Sequence, residues 1–185
     1  MQSITANKLQ KCTLEQVQLL QDLAIQTYQE TFAESNSEAL LQKYYQASLN
    51  LPLLSSQLQN DESEFYFIYS SDNDKQQNIP AGFLKLNIGA AQTDIFDPDA
   101  LEVEKIYILN SAIGKGLGRE MIAFAIERAK QQQKQYLWLG VWEHNYSALA
   151  FYKKMGFIQF SQHNFDMGGD IQIDLLLKRD CELKA

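Results

Sequence analysis

Cysteine and histidine are scarce, with two of each in 185 residues. Cys12 and Cys181 stand at opposite ends of the chain, which argues against a disulfide framework or a cysteine metal knuckle and makes the reducing cytoplasm the expected setting. His144 and His163 have no ligand-spaced partners, so no metal site is expected. No apolar run approaches the roughly 20 residues that span a bilayer, and residues 1–6 lack the layout of an export signal. A soluble, cytoplasmic protein with no membrane partner is expected. Basic residues are also in deficit, 16 against 23 acidic ones, for a formal charge of −7. A field of that sign repels phosphate, and no basic recognition helix is present, so nucleic acid is a poor partner. A cationic partner suits it better.

What remains is ordinary globular composition, 45% hydrophobic and 21% charged, long enough to bury a core without staples. No repeat or biased linker divides it, so residues 1–185 are expected to form one domain. A weak strand is expected over Ile4 to Lys11. Thr13, with Gln16 three residues on, has the capping-box spacing for a helix whose stripe is Leu14, Val17, Leu20, Leu23, Ala24 and Tyr28. A second helix starts at Asn36 or Ser37, and Pro52 sits in the first turn of a third that ends near Asn60. Tyr44 and Tyr45 suit either the core or an interface with a second copy, which leaves a homodimer open. The pattern then turns to strands, over Glu64 to Tyr69 and Gly82 to Ile88, separated by an all-polar loop from Ser71 to Asn78. An acidic loop, a strand from Leu101 to Leu109, a glycine turn and a helix from Gly116 to Gln133 follow. Tyr136 to Trp142 reads as a strand, Asn145 to Met155 as a helix, and Phe157 to Phe165 and Ile171 to Leu177 as final strands. This order predicts a mixed α/β (α+β) sheet with helices on its faces.

Three clusters carry chemistry. The run Ile113-Gly114-Lys115-Gly116-Leu117-Gly118 joins an apolar strand to a helix. Glycines there let several N–H groups converge at a helix N-terminus, a natural seat for phosphate, although the spacing is neither the dinucleotide fingerprint nor a P-loop. Residues 105 to 134 carry a local balance of +4, leaving −11 for the rest, which favours a ligand with several phosphates. In the preceding strand, Leu101 and Val103 alternate with Glu102 and Glu104, then the apolar phase slips by one to Ile106 and Ile108. A slip near Lys105 is the signature of a β-bulge, a device that re-aims groups beside active sites. Either glutamate is a candidate general base. In the third cluster Asn145 caps a helix and Gly156 ends it, while Tyr152, between Phe151 and two lysines whose charge would favour phenolate character, is a candidate proton donor.

At these clusters the sequence resembles the GNAT superfamily of acyl-CoA-dependent N-acetyltransferases, over most of residues 65 to 180. Lys85-Leu86-Asn87, the run Glu102 to Leu109, Leu139 to Asn145, Phe151-Tyr152-Lys153-Lys154, the tail His163, Phe165, Gly168, Asp170, Gln172, and the helical stretch Thr31-Phe32 to Tyr45 are similar to PaiA-type spermidine/spermine acetyltransferases. The resemblance implies a mostly antiparallel seven-stranded sheet with a V-shaped split that admits acetyl-CoA, and a helical N-terminal third (residues 13–60) over the substrate side. It implies pantetheine on the backbone of Ile106, Tyr107 and Ile108. The pyrophosphate falls to the N–H groups of Gly114, Lys115, Gly116, Leu117, Gly118 and Arg119, with Lys154 approaching the phosphates, and Asn145 holds the pantetheine arm. Family members usually have Gln or Arg where this chain has Ile113. By the same analogy Glu104, through water, takes the amine's proton, Tyr152 gives one to the thiolate, and the Ile108 N–H polarises the thioester carbonyl. Asp94, Asp97, Asp99, Glu102 and Glu104 form an acidic run with no basic residue among them, so Asp94, Glu102 and Glu104 are expected to receive a polycationic amine, spermidine or spermine. A protein, peptide or aminoglycoside amine, or a non-catalytic acetyl-CoA-binding regulator, is the alternative.

Overall fold

The computed structural model describes residues 8–166 and 171–181; residues 4–7 of the expected first strand, together with Gly168 and Asp170, lie outside them. Seven strands form one sheet in the order β1-β2-β3-β4-β5-β7-β6. They are β1 Leu9–Lys11, β2 Ser63–Ile68, β3 Gly82–Asn87, β4 Ala100–Ile108, β5 Tyr136–Trp142, β6 Ile158–Asp166 and β7 Ile171–Asp180. All neighbours are antiparallel except β4 and β5. Among the described residues no helix is long and apolar enough to cross a membrane.

Helices cover both faces. On one lie α1 Val17–Phe32, α2 Glu38–Ser48 and α3 Leu51–Leu58, whose Leu20, Leu23, Leu41 and Leu54 pack on Phe65, Phe67 and Phe83 of β2 and β3. Thr13 starts not α1 itself but the 3-10 turn Leu14–Gln16 that leads into it, its N–H donating to Gln16 Oε1 at 3.1 Å, so Leu14, expected on the helix stripe, is left 43% exposed. α2 and α3 start as expected, the Ser37 and Asn50 side chains accepting from Leu40 and Leu53 N–H at 3.3 and 2.9 Å. On the other face α5 Leu117–Gln131 and α6 Tyr146–Lys154 bury Leu117, Met121, Ile122, Ala125 and Tyr152 against Leu84, Leu86, Leu101, Val103 and Leu139. Tyr44 and Tyr45 belong to the α1 face: Tyr45 is buried, and Tyr44 stacks on Tyr28 at 4.1 Å. The polar stretch expected as a loop contains a short helix, α4 Asp72–Gln76. Ser71 accepts from the Asp74 N–H at 3.1 Å to start it; with no apolar stripe, it has no periodic signal.

The sheet opens at its one parallel pair. The β4–β5 ladder holds only for Ala100↔Tyr136, Leu101↔Leu137 and Glu102↔Trp138, after which β4 continues to Ile108 and β5 to Trp142 unpaired with each other. On its other side β4 keeps pairing with β3, but the register jumps from Lys85↔Lys105 to Leu86↔Val103. Glu104 is the extra, bulged residue, where the phase slip places it, and such a bulge bends and twists its strand. Gly82, opposite Ile108, sets how closely β3 approaches that strand: a Cβ there would lie 2.3 Å from the Tyr107 carbonyl oxygen. Gly82→Ala is therefore expected to lower stability by about 1–3 kcal/mol, measured by denaturant unfolding; an unchanged midpoint would show that β4 gives way freely.

Candidate functional site

The open edge of β4 has a definite polarity. Leu109 N–H donates to Ala81 O on the β3 side at 2.9 Å. In an antiparallel ladder the backbone groups alternate, so Tyr107 pairs with Phe83 while Ile106 and Ile108 turn their N–H and C=O groups to the gap. Tyr107, expected beside them, thus has its backbone committed to β3 and its side chain near Phe83, 5.7 Å between rings.

Beyond β4 the chain turns through Asn110–Ala112 into the glycine segment. Gly114 and Gly116 have φ of +83° and +82°, with open space where a side chain would be. Gly116 is the N-cap of α5, and the N–H groups of Gly114, Lys115, Gly116, Leu117 and Gly118 meet no acceptor among the described residues. Arg119, expected with them, differs: its N–H closes the first turn onto Gly116 O at 3.1 Å. Helix dipole and bare amides make this cradle fit a diphosphate, and exposed Lys115 and the Arg119 side chain add charge. Ile113 is 63% exposed and takes no part in the turn's packing. Gly118 is where α5 meets α6, a Cβ there lying 3.1 Å from Phe151.

Beneath the gap, on the α1 face, lies a polar network. Lys85 is buried under the Phe65 ring, its Nζ 5.3 Å from the centroid, and it pairs with Glu104 Oε2; Lys105 Nζ takes the other oxygen at 3.1 Å. Asn87 Nδ2 donates to Glu104 at 2.6 Å and to Glu102 at 2.9 Å, and Ser63 donates to Asn87 at 2.8 Å. Burial opposes charge on Glu104, yet Lys105 and Lys85 outweigh it and hold its pKa at about 2. At neutral pH this carboxylate is anionic and a weak base. Burial pushes Glu102 the other way; it is 2% exposed and occupied by Thr93, whose N–H donates at 3.0 Å. Glu102 is thus an internal fastener for the loop after β3 and not part of an acidic rim. Asp94 likewise is engaged, 2.5 Å from His163 Nδ1. Asp97 is also taken, by the Tyr136 hydroxyl at 2.7 Å.

Tyr152 sits buried between Phe151 and Phe157, ring centroids at 5.3 and 5.7 Å. Burial pushes its pKa up, and the neighbouring lysines do not bring it down: Lys153 and Lys154 lie exposed in the last turn of α6, where water screens them. The expected phenolate character is therefore replaced by a phenol that keeps its proton. Asn145 caps α6 through Oδ1, which accepts from Ala148 N–H at 3.1 Å, leaving Nδ2 without a partner among the described residues.

Sequence reasoning passed over two groups here. Lys85 alternates with apolar neighbours as on a half-wet strand, yet both faces of β3 are covered. Asp174 of β7 lies opposite Trp142 of β5, with its Oδ2 3.9 Å from His163 Nε2. The register of three strands and the loop carrying Asp94 bring these residues together; a carboxylate between Ile173 and Leu175 of β7 was the available signal.

The sequence pattern of the acetyltransferase (GNAT) family matches residues 19–157. An uncharacterized N-acetyltransferase in the pepI 3′ region of Lactobacillus delbrueckii subsp. lactis is 38% identical over 154 residues, 83% of this chain and 86% of its own. Among solved structures, a PaiA N-acetyltransferase from Thermoplasma acidophilum in complex with coenzyme A superposes with TM-score 0.74 at 19% identity, over 94% of this chain and 98% of that one. A ribosomal-protein-alanine N-acetyltransferase from Brucella melitensis gives 0.63 at 17% identity, over 93% and 98%. The split sheet and its amide cradle thus agree with the sequence relationship, and the chain belongs to the GNAT family of N-acetyltransferases, with acetyl-CoA as its co-substrate.

Proposed function

We propose that the chain transfers acetyl from acetyl-CoA to a primary aliphatic amine of the polyamine class. The observation that carries the reading is the interrupted β4–β5 ladder leading to a turn of bare N–H groups. The surplus of −11 outside residues 105–134 supports a cationic acceptor. In this reading the diphosphate rests on Gly114 to Gly118 with Lys115, Arg119 and Lys154 as surrounding charge. The Ile106 and Ile108 backbone receives the pantetheine, Asn145 Nδ2 steadies it, and the Ile108 N–H faces the thioester oxygen as negative charge develops there.

A protonated amine is no nucleophile. Glu104 orders the water that carries the amine's proton away, its own basicity being too low to keep it. Tyr152 donates a hydrogen bond to the departing thiolate. The bond from nitrogen to the acetyl carbon forms as the C–S bond breaks, and the products are an amide, a thiol and one proton. Thiol release across an amine panel tests this. Spermidine is expected to turn over with a Michaelis constant that rises several-fold between 50 and 300 mM salt, the range over which screening tightens. Turnover of a peptide or aminoglycoside but of no polyamine would replace the substrate class, and a salt-indifferent Michaelis constant would remove the polycation.

A further inference from the structure

Beside the gap, side chains from five elements, α1, α2, β4, β5 and β7, come together. Tyr28 of α1 stacks on Tyr44 of α2 at 4.1 Å and approaches Tyr107 of β4 at 6.0 Å. Phe32, at the end of α1, meets Trp142 of β5 at 6.3 Å. Asn36 accepts from Gln172 Nε2 at 3.2 Å, tying the α1–α2 connection to β7. Asp174 lies next to Trp142 across the β5–β7 ladder, 21% exposed, and, after burial, its charge is among the influences that push the Tyr28 hydroxyl's pKa up. Gly140, two pairs along, keeps the approach clear: a Cβ there would stand 3.6 Å from Asp174 Oδ2.

Four carboxylates on this side of the sheet, among the described residues, differ in what they hold. Glu104 has Lys85 and Lys105, Glu102 has Thr93 and Asn87, and Asp94 has His163. Asp174 accepts no hydrogen bond from any described residue, and its nearest cationic candidate, His163 Nε2, stands at 3.9 Å, beyond hydrogen-bond range. A half-buried carboxylate against aromatic faces is a site for an ammonium ion, which gains a charge-assisted hydrogen bond and the ring quadrupoles together. We infer that Asp174, backed by His163 and Asp94, receives the acceptor amine as its ammonium against Tyr28, Phe32 and Trp142, before the ordered water takes the proton, and so sets the enzyme's demand for a cationic aliphatic amine. This rests on the amine-acetylating reading above. Burial raises the Asp174 pKa, a penalty that an arriving ammonium relieves.

The test is Asp174→Asn, a near-isostere, assayed by thiol release with spermidine, n-hexylamine and aniline at pH 8, where aniline is uncharged. For the two aliphatic amines the Michaelis constant is expected to rise at least tenfold, while that of acetyl-CoA and the melting temperature stay put. Any slow turnover of aniline should be unaffected, and Asp174→Glu should restore part of the loss. A second variant, Gly140→Val, fills the approach and should raise the same constant with the carboxylate intact. Unchanged Michaelis constants for both aliphatic amines in Asp174→Asn would overturn the assignment of Asp174 while leaving the transferase reading standing. A wild-type protein that binds acetyl-CoA but acetylates neither amine would overturn the reading itself.

Discussion

Replacing Glu104 by glutamine is expected to lower the melting temperature by roughly 10 °C and to cost more stability than any surface substitution. The carboxylate is the counter-charge to two ammonium groups, Lys85 and Lys105, whose side chains are only 3% and 12% exposed. Taking one partner from a buried ion pair leaves the other charge unsolvated, which costs about 3–5 kcal/mol. In a domain of this size each kcal/mol moves the melting temperature by about 2–4 °C. Glu104's pKa is held at about 2, below the ordinary 4.5. Its stabilisation is therefore complete above about pH 4.5 and drains away as pH falls toward 2. Glu102 runs opposite: its raised pKa gives a contribution present below the ordinary value and lost as pH climbs through the folded one. In Glu104→Gln the acid limb of stability against pH should flatten between about 4.5 and 2. Burial draws the Lys85 pKa down, so a neutral residue of similar length suits that position, and Lys85→Met added to Glu104→Gln should recover at least half the lost melting temperature. Recovery of stability without turnover would separate the pairing role of Glu104 from its proposed role toward water. A melting temperature within 2 °C of wild type in the single variant would show that the pair contributes nothing.

These expectations depend on a network that the sequence shows only in part. The bulge was readable because it displaces an alternation: Val103 and Ile106 cannot face one side without an extra residue, and Glu104 is that residue. The glycine turn was readable because positive φ restricts the choice of residue at Gly114 and Gly116. Helix starts were written locally, in Thr13, Ser37, Asn50 and Asn145. Partners distant along the chain were not legible. Five carboxylates in eleven residues look like a rim until strand pairing hands Glu102 to Asn87 and Thr93, and loop placement hands Asp94 to His163, 69 positions away. Likewise the lysines after Tyr152 are near it in sequence but turn to solvent, and what reaches its ring is Phe157 from beyond the helix. Local propensity fixed the elements; the charge state of each group was set by contacts between them.

Tyr152→Phe is the variant that separates these two kinds of information. Removing one hydroxyl from a ring held by Phe151 and Phe157 changes no volume, so the melting temperature should move by less than about 2 °C. Turnover should fall roughly 10- to 100-fold, the worth of a hydrogen bond to a group that becomes charged only as the reaction proceeds. The Michaelis constant for acetyl-CoA should stay within about twofold, because in the proposed arrangement ground-state binding uses the amides of the turn and of β4. Burial lifts the phenol's pKa above its ordinary 10, whereas a free thiol of the cysteine kind ionises near ~8.5. Complete transfer of the phenolic proton to such a thiolate would therefore run uphill by at least about 2 kcal/mol. A shared proton is the better description, the hydrogen bond tightening as the C–S bond lengthens. The donor must be protonated to act, and a raised pKa extends its working range upward, so the rate should show no alkaline limb attributable to Tyr152 below about pH 10. An inflection below pH 9 in the wild type that vanishes in Tyr152→Phe would mean the phenol ionises early, contrary to its burial. Wild-type turnover in Tyr152→Phe would remove the hydroxyl from the reaction altogether and leave the ring as packing for α6 against β4.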